Sequence, residues 1–190
     1  LGLCTMANAQ VNKVPMIEHF TQASCGPCAS QNPAMKATLD GYSGEYVKIS
    51  HQVSWPGYDP MYDFFPSGPD TRVSYYGITG VPNTSLNGGA PGAPNTIVTS
   101  STLASAASEM TPYDITVTQS WPDANTIDLK IDVTNVTGAA ISSADKIYIT
   151  MVENQVDYGT APGSNGETIF YNVMREMYTT TGAAGATAGS

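Results

Sequence analysis

Two cysteines separated by a Gly-Pro pair, Cys25-Gly26-Pro27-Cys28, stand between an apolar run and a stretch of good helix formers. That spacing serves three chemistries: thiol–disulfide exchange, metal ligation, or a local staple. Where such a motif closes a strand and opens a helix, the first sulfur meets the unpaired N–H groups and dipole of the helix N-terminus, which favour thiolate over thiol. On this reading Cys25 is the nucleophile, and Cys28, one turn into the helix, attacks the mixed disulfide and releases the substrate. Pro27 falls at an early helical position, where its missing N–H costs little. A metal site would need His19 or His51 as further ligands, yet no second Cys-x-x-Cys and no His pair stands at zinc spacing, so no metal and no cofactor is expected. Asp59, Asp63 and Asp70 lack the alternating spacing of a calcium loop and read as solvated carboxylates. The stretch "PGSNGE", 162 to 167, reads as a turn because no Lys follows its glycines, and Met174, Met177 and Tyr178 read as core.

The elements that must hold these residues follow from periodicity. Residues 11 to 20 alternate into a strand that feeds the cysteine loop, and 29 to 39 form a helix that Pro33 kinks and Gly41 caps. Residues 46 to 55 give a second strand. The segment from Trp55 to Arg72, with four prolines and four further aromatics, is an ordered excursion of the functional kind. Gly80-Val81-Pro82 precedes a strand at 84 to 86, where a proline tolerates the cis bond. An Asn87-Gly88 turn and a helix over 96 to 110 follow. Beyond Met110 the pattern becomes strict alternation, which predicts antiparallel strands and an all-β, sandwich-like (immunoglobulin-like) segment with too few strands for a closed sandwich. The expected division is 1–9 export signal, 10–110 α/β domain, 111–178 β segment and 179–190 tail.

The chain has 190 residues, 7 Lys plus Arg against 16 Asp plus Glu, and a net charge of −9. Such a chain repels phosphate backbones, so no nucleic-acid partner is expected. No stretch reaches the roughly 18 to 20 apolar residues of a membrane-spanning helix. Leu1 to Ala9 ends in Ala7-Asn8-Ala9, like the close of a secretory signal. Export leaves Cys25 and Cys28 as the one pair in a disulfide-permissive compartment.

In order and spacing, strand, Cys25-Gly26-Pro27-Cys28, helix with Pro33, strand and Gly80-Val81-Pro82 resemble the thioredoxin superfamily over residues 11 to 110. The resemblance implies a nucleophilic Cys25, a resolving Cys28, and Val81 with a cis Pro82 against the disulfide as substrate-binding residues. His19 stands where thioredoxins carry a buried Asp, with Glu18 beside it; it is either a proton shuttle or an ordinary strand residue. Ser24 replaces the usual aromatic before the first cysteine. More narrowly, "EHFTQASCGPC", "HQVSWPGYDPMY" and "FYNVMREM" resemble the Omp-related outer-membrane proteins of Gram-negative bacteria. This implies an exported protein of the periplasm, outer membrane or cell surface. Two functions are expected: a thiol–disulfide oxidoreductase acting on protein or peptide disulfides, with a membrane-bound redox partner, or a binding module on a thioredoxin-like scaffold with a static disulfide.

Overall fold

Met16–Thr21 forms the central strand, β2, and its two faces set the architecture. In the computed structural model, which describes residues 10–142 and 144–181, it follows the short β1 (Val11–Asn12) and leads through the cysteines into α1 (Gly26–Asp40). Then come β3 (Val47–Gln52), α2 (Pro60–Phe64), α3 (Ser67–Tyr76), β4 (Asn83–Leu86), α4 (Pro94–Ile97) and α5 (Ser100–Ser108). The chain continues with β5 (Met110–Thr111), β6 (Tyr113–Asp123), β7 (Thr126–Asn135), β8 (Lys146–Asp157) and β9 (Ile169–Thr181). Five strands make one sheet in the order β4-β2-β3-β9-β8; β2, β3 and β9 run parallel, and the two edges are antiparallel.

Strand periodicity puts alternate residues of β2 on opposite faces. Ile17 packs under α1 and α5 with Met35, Leu39, Val98 and Leu103. Phe20 joins Val53 and Ile78 under the partly buried Val73 and Tyr76 of α3. Helices therefore cover both faces. Pro33 lies inside α1 without ending it, and Thr99 starts α5 with a reciprocal capping box to Thr102. Asn87 and Gly88 both take positive φ, 50° and 77°, the conformation that the Asn-Gly pair predicts for their turn.

Two expectations change. The 55–72 excursion contains two helices, α2 and α3, because Asp59 caps the first and Pro60 suits its opening turn. The sandwich-like segment over 111–178 takes a different form. β9 pairs with β3, and β8 with β9, so the sheet draws strands from both sides of residue 111. Alternation reports a covered face but not what covers it; Val156, Phe170 and Val173 find cover with Met61 of α2 and Ala23. Of that segment, β6 and β7 form a separate two-stranded ribbon, with Ile115, Val117, Trp121 and Leu129 exposed. The expected export signal (1–9) and all but the first three residues of the tail (179–190) lie outside the described residues. No helix among the described residues is long and apolar enough to cross a membrane, which says nothing of a β-barrel.

Leu103 is fully buried between α5 and the sheet. Leu103→Ala is expected to cost about 2–5 kcal/mol in unfolding free energy. Val117→Ala on the open ribbon should cost under about 1 kcal/mol; urea midpoints measure both.

Candidate functional site

Cys25 and Cys28 form a disulfide, S–S 2.09 Å, with Cα atoms 5.2 Å apart. Cys25 is the N-cap of α1: its Sγ accepts the Cys28 backbone N–H at 3.1 Å, and Pro27 occupies the first turn. Cys28 is wholly buried and Cys25 is 2% exposed, so what little approach exists is to Cys25. The Val81–Pro82 bond is cis, as is Trp55–Pro56, and the Val81 carbonyl oxygen lies 3.5 Å from Cys25 Sγ. The structure thus brings together Cys25, Cys28, Val81 and Pro82.

The loop before the disulfide, residues 22–25, is buried backbone that two distant segments satisfy. From 57–59, Asp59 Oδ2 accepts the Ala23 N–H at 2.8 Å, while its Oδ1 caps α2 through Met61 and Tyr62. Gly57 accepts from the Gln22 amide, and Tyr58 accepts from Ser24 Oγ. From 163–167, the Ser164 N–H donates to Ser24 Oγ and the Asn165 N–H to the Ala23 carbonyl. The Asn165 side-chain amide reaches the carbonyls of Gln22 and Cys25, both at 3.2 Å, and Glu167 Oε2 at 2.6 Å. The "PGSNGE" turn is therefore a clamp on the cysteine loop. At Gly163 a Cβ would fall 2.3 Å from the Ala23 carbonyl oxygen, so that approach needs glycine. Asp59, expected to be solvated, is 2% exposed, and burial raises its pKa against its backbone hydrogen bonds.

His19 lies on the α1 face of β2. Asn32 of α1 gives its two N–H bonds to Thr21 Oγ1 and Glu167 Oε1, at 3.0 and 2.9 Å, so its Oδ1 must accept from His19 Nε2–H at 2.9 Å. His19 Nδ1 then accepts from Thr84 Oγ1 at 2.9 Å. Burial, reinforced by the Lys48 charge, holds the His19 pKa down at about 3, so the ring is neutral at ordinary pH. A chain of hydrogen bonds runs from the Cys25 carbonyl through Asn165, Glu167, Asn32 and His19 to Thr84, two residues after Pro82.

Glu18, on the opposite face, is buried and accepts from Arg72 Nε and a second guanidinium nitrogen, both at 2.8 Å, from Tyr76 Oη, and from His51 Nε2 at 3.2 Å. Burial pushes its carboxyl up, but the hydrogen bonds from His51, Arg72 and Tyr76 outweigh that and hold it at about 2. Arg72 also faces the rings of Tyr75, Tyr76 and Tyr148, the last from β8, so the pair locks α3 and β8 onto the sheet.

No family model matches the chain, and no curated protein matches it. Two solved structures do. HBP35 of Porphyromonas gingivalis superposes with a TM-score of 0.60 at 15% identity, covering 88% of this chain and 57% of that one. A protein of Agrobacterium tumefaciens superposes with a TM-score of 0.60 at 13% identity, covering 95% and 78%. The fold is thioredoxin-like. This chain spans a little over half the length of HBP35.

Sequence reasoning missed Asn165, Glu167 and Asn32. Asn165 lies 140 residues from the cysteine carbonyl it binds, and no local pattern marks such a partner.

Removing Arg72 strands a buried carboxylate, so Arg72→Met is expected to cost about 3–5 kcal/mol, read from urea unfolding at pH 7. His19 and His51 are both depressed by burial. Between their folded values and the unfolded value near 6.5 the unfolded chain binds more protons. The histidine contribution to stability is therefore full above pH 6.5 and falls on acidification, for His19 down to about pH 3 by up to about 1.4 kcal/mol per pH unit, and His51 acts in the same sense. The raised carboxyls of Asp59 and Glu167 act in the opposite sense. Comparison with His19→Gln, which should show a shallower slope over this window, isolates the histidine contribution.

Proposed function

We propose that this chain is a thiol–disulfide oxidoreductase that acts on protein or peptide disulfides outside the cytoplasm. The observation that carries this reading is the disulfide at the N-terminus of α1, with the Cys28 N–H on Cys25 Sγ and the Val81 carbonyl beside the same sulfur. In the reduced protein the Cys25 thiolate attacks one sulfur of a substrate disulfide; an S–S bond forms and the other substrate sulfur leaves as thiolate. Cys28 loses its proton and attacks Cys25 Sγ, restoring the Cys25–Cys28 bond and releasing the second substrate thiolate. Two electrons pass to the substrate, and a partner dithiol, on this reading membrane-bound, returns them. Val81 and Pro82 would carry an extended peptide past Cys25. A proton shuttle at His19 would need the Asn32 amide to turn over first, since Asn32 holds one tautomer and the ring binds an extra proton weakly. Kinship with the Omp-related outer-membrane proteins, and with it a place in the periplasm, outer membrane or cell surface of a Gram-negative bacterium, belongs to this proposal.

The 2% exposure of Cys25 favours a second reading, in which the disulfide is static and the chain is a surface binding module. The open apolar face of the β6–β7 ribbon fits that reading too. Fold alone does not choose between them.

The alkylation rate of Cys25 in the reduced protein, followed against pH, separates the two. Exchange activity predicts an apparent pKa near or below about 7 with Cys28 protected; a value at or above about 8.5, or an inert Cys25, indicates a structural pair. Cys25→Ser should abolish turnover of a peptide disulfide, and Cys28→Ser should accumulate the mixed disulfide.

A further inference from the structure

The α1-facing side of β2 and β3 changes character along its length. Ile17 is apolar, but His19 and Thr21 of β2 stand opposite Ser50 and Gln52 of β3 in register, and Lys48 shares their face. A sheet face covered by a helix is ordinarily apolar. Here five polar side chains occupy it, and a cavity of about 380 Å³ lies between them and α1, reaching β9. That volume is at the lower end of the ~300–1,000 Å³ of small-molecule sites.

Some of these side chains are already satisfied within the protein. His19 is held by Asn32 and Thr84, and Lys48 Nζ donates to Ser50 Oγ and the Tyr171 carbonyl at 2.9 and 3.2 Å. Gln52 is not. It is 2% exposed, lines the cavity, and neither its Oε1 nor its Nε2 has a partner. A buried carboxamide unpaired on both atoms is costly, and Met or Leu would fill the same space without that cost. Neither atom is exposed to solvent, so the side chain must turn to meet an occupant, which must then offer it both an acceptor and a donor. Of the charged groups that line the cavity, Lys36 and Asp40 pair with each other at 2.7 Å, which leaves the Lys48 ammonium and the Glu167 carboxylate as the charges an occupant meets. A simple anion would leave Glu167 and the Gln52 oxygen opposed to it, and a simple cation would leave Lys48 and the Gln52 N–H groups opposed.

We propose that this chamber binds a zwitterion of amino-acid size, its carboxylate on Lys48 and Gln52 Nε2 and its ammonium on Glu167 and Gln52 Oε1. Lys36, stacked 4.5 Å from the Tyr171 ring, sits at the rim between α1 and β9. Neither cysteine lines the chamber, so the proposal stands independently of the redox reading.

The test is a titration of the oxidised, ¹⁵N-labelled protein with L-alanine, and separately with acetate and with methylammonium, following the side-chain amide signals of Gln52. L-alanine should shift them saturably with half-saturation below about 1 mM, and each half-charged probe should bind at least about tenfold more weakly. Lys48→Met and Glu167→Gln, each checked for a native backbone spectrum, should each weaken L-alanine at least about tenfold. The absence of a saturable shift in the native protein up to about 10 mM would overturn the proposal. So would acetate binding as tightly as L-alanine, or an affinity unchanged in both folded variants. The native titration with three probes decides the matter even where a variant does not fold.

Discussion

Residues 22–25 turn from a central strand into a helix under cover of other chain, so their N–H and C=O groups must find protein partners. The local chain supplies few of them. Asp59 and Gly57 serve from one side, and Ser164 and Asn165 from the other. Each of those segments must then be fixed in turn: the first by the cap of α2, the second by the strands that flank it, β8 paired with β9 and β9 with β3. The placement of C-terminal strands in the sheet and the burial of the cysteine loop are two views of one requirement.

The same strands carry two incompatible environments, kept apart by the pleat. On one face Glu18 and His51 meet Arg72 and Tyr76, a network in which the carboxylate's four hydrogen bonds outweigh its desolvation. On the other, one residue on, His19 is neutral and linked to Asn32, Glu167 and Thr84. A one-residue slip of β2 would drive Glu18 into the chamber beside Glu167 and set His19 against Arg72. Register is therefore fixed by charge as well as by Ile17 and Phe20.

The strand–cysteine–helix unit and the Gly80-Val81-Pro82 approach were legible because their signals are local: alternation, a Gly-Pro turn, helix formers, an Asn-Gly turn. What was not legible is what depends on distance in sequence. The alternation of residues 147–151 signals a strand and Met174, Met177 and Tyr178 read as core, yet the same pattern suits a separate sandwich or an added pair in an existing sheet. The helices at 60–64 and 67–76 were masked by prolines that sit at helix starts, where they are tolerated. Polar residues at 19, 21, 48, 50 and 52 are alternate positions on adjoining strands, but only register places them side by side.

The electrostatics of Cys25 are a balance rather than a single term. The helix N-terminus and the Cys28 N–H stabilise a thiolate, and an exposed helix end is worth about 0.3–1 kcal/mol to a negative charge, more where it is partly buried. Against this, the segments that frame the sulfur, 22–28, 55–63, 80–82 and 162–167, carry Asp59, Asp63 and Glu167 and no Lys or Arg. Glu167 is coupled to the Cys25 carbonyl through Asn165, and burial raises its pKa against the hydrogen bonds from Asn32 and Asn165. The clamp thus carries its own electrostatic cost: the Asn165 that holds the cysteine loop is itself held by a carboxylate, and the helix N-terminus and the Cys28 N–H must outweigh that charge for Cys25 to ionise readily.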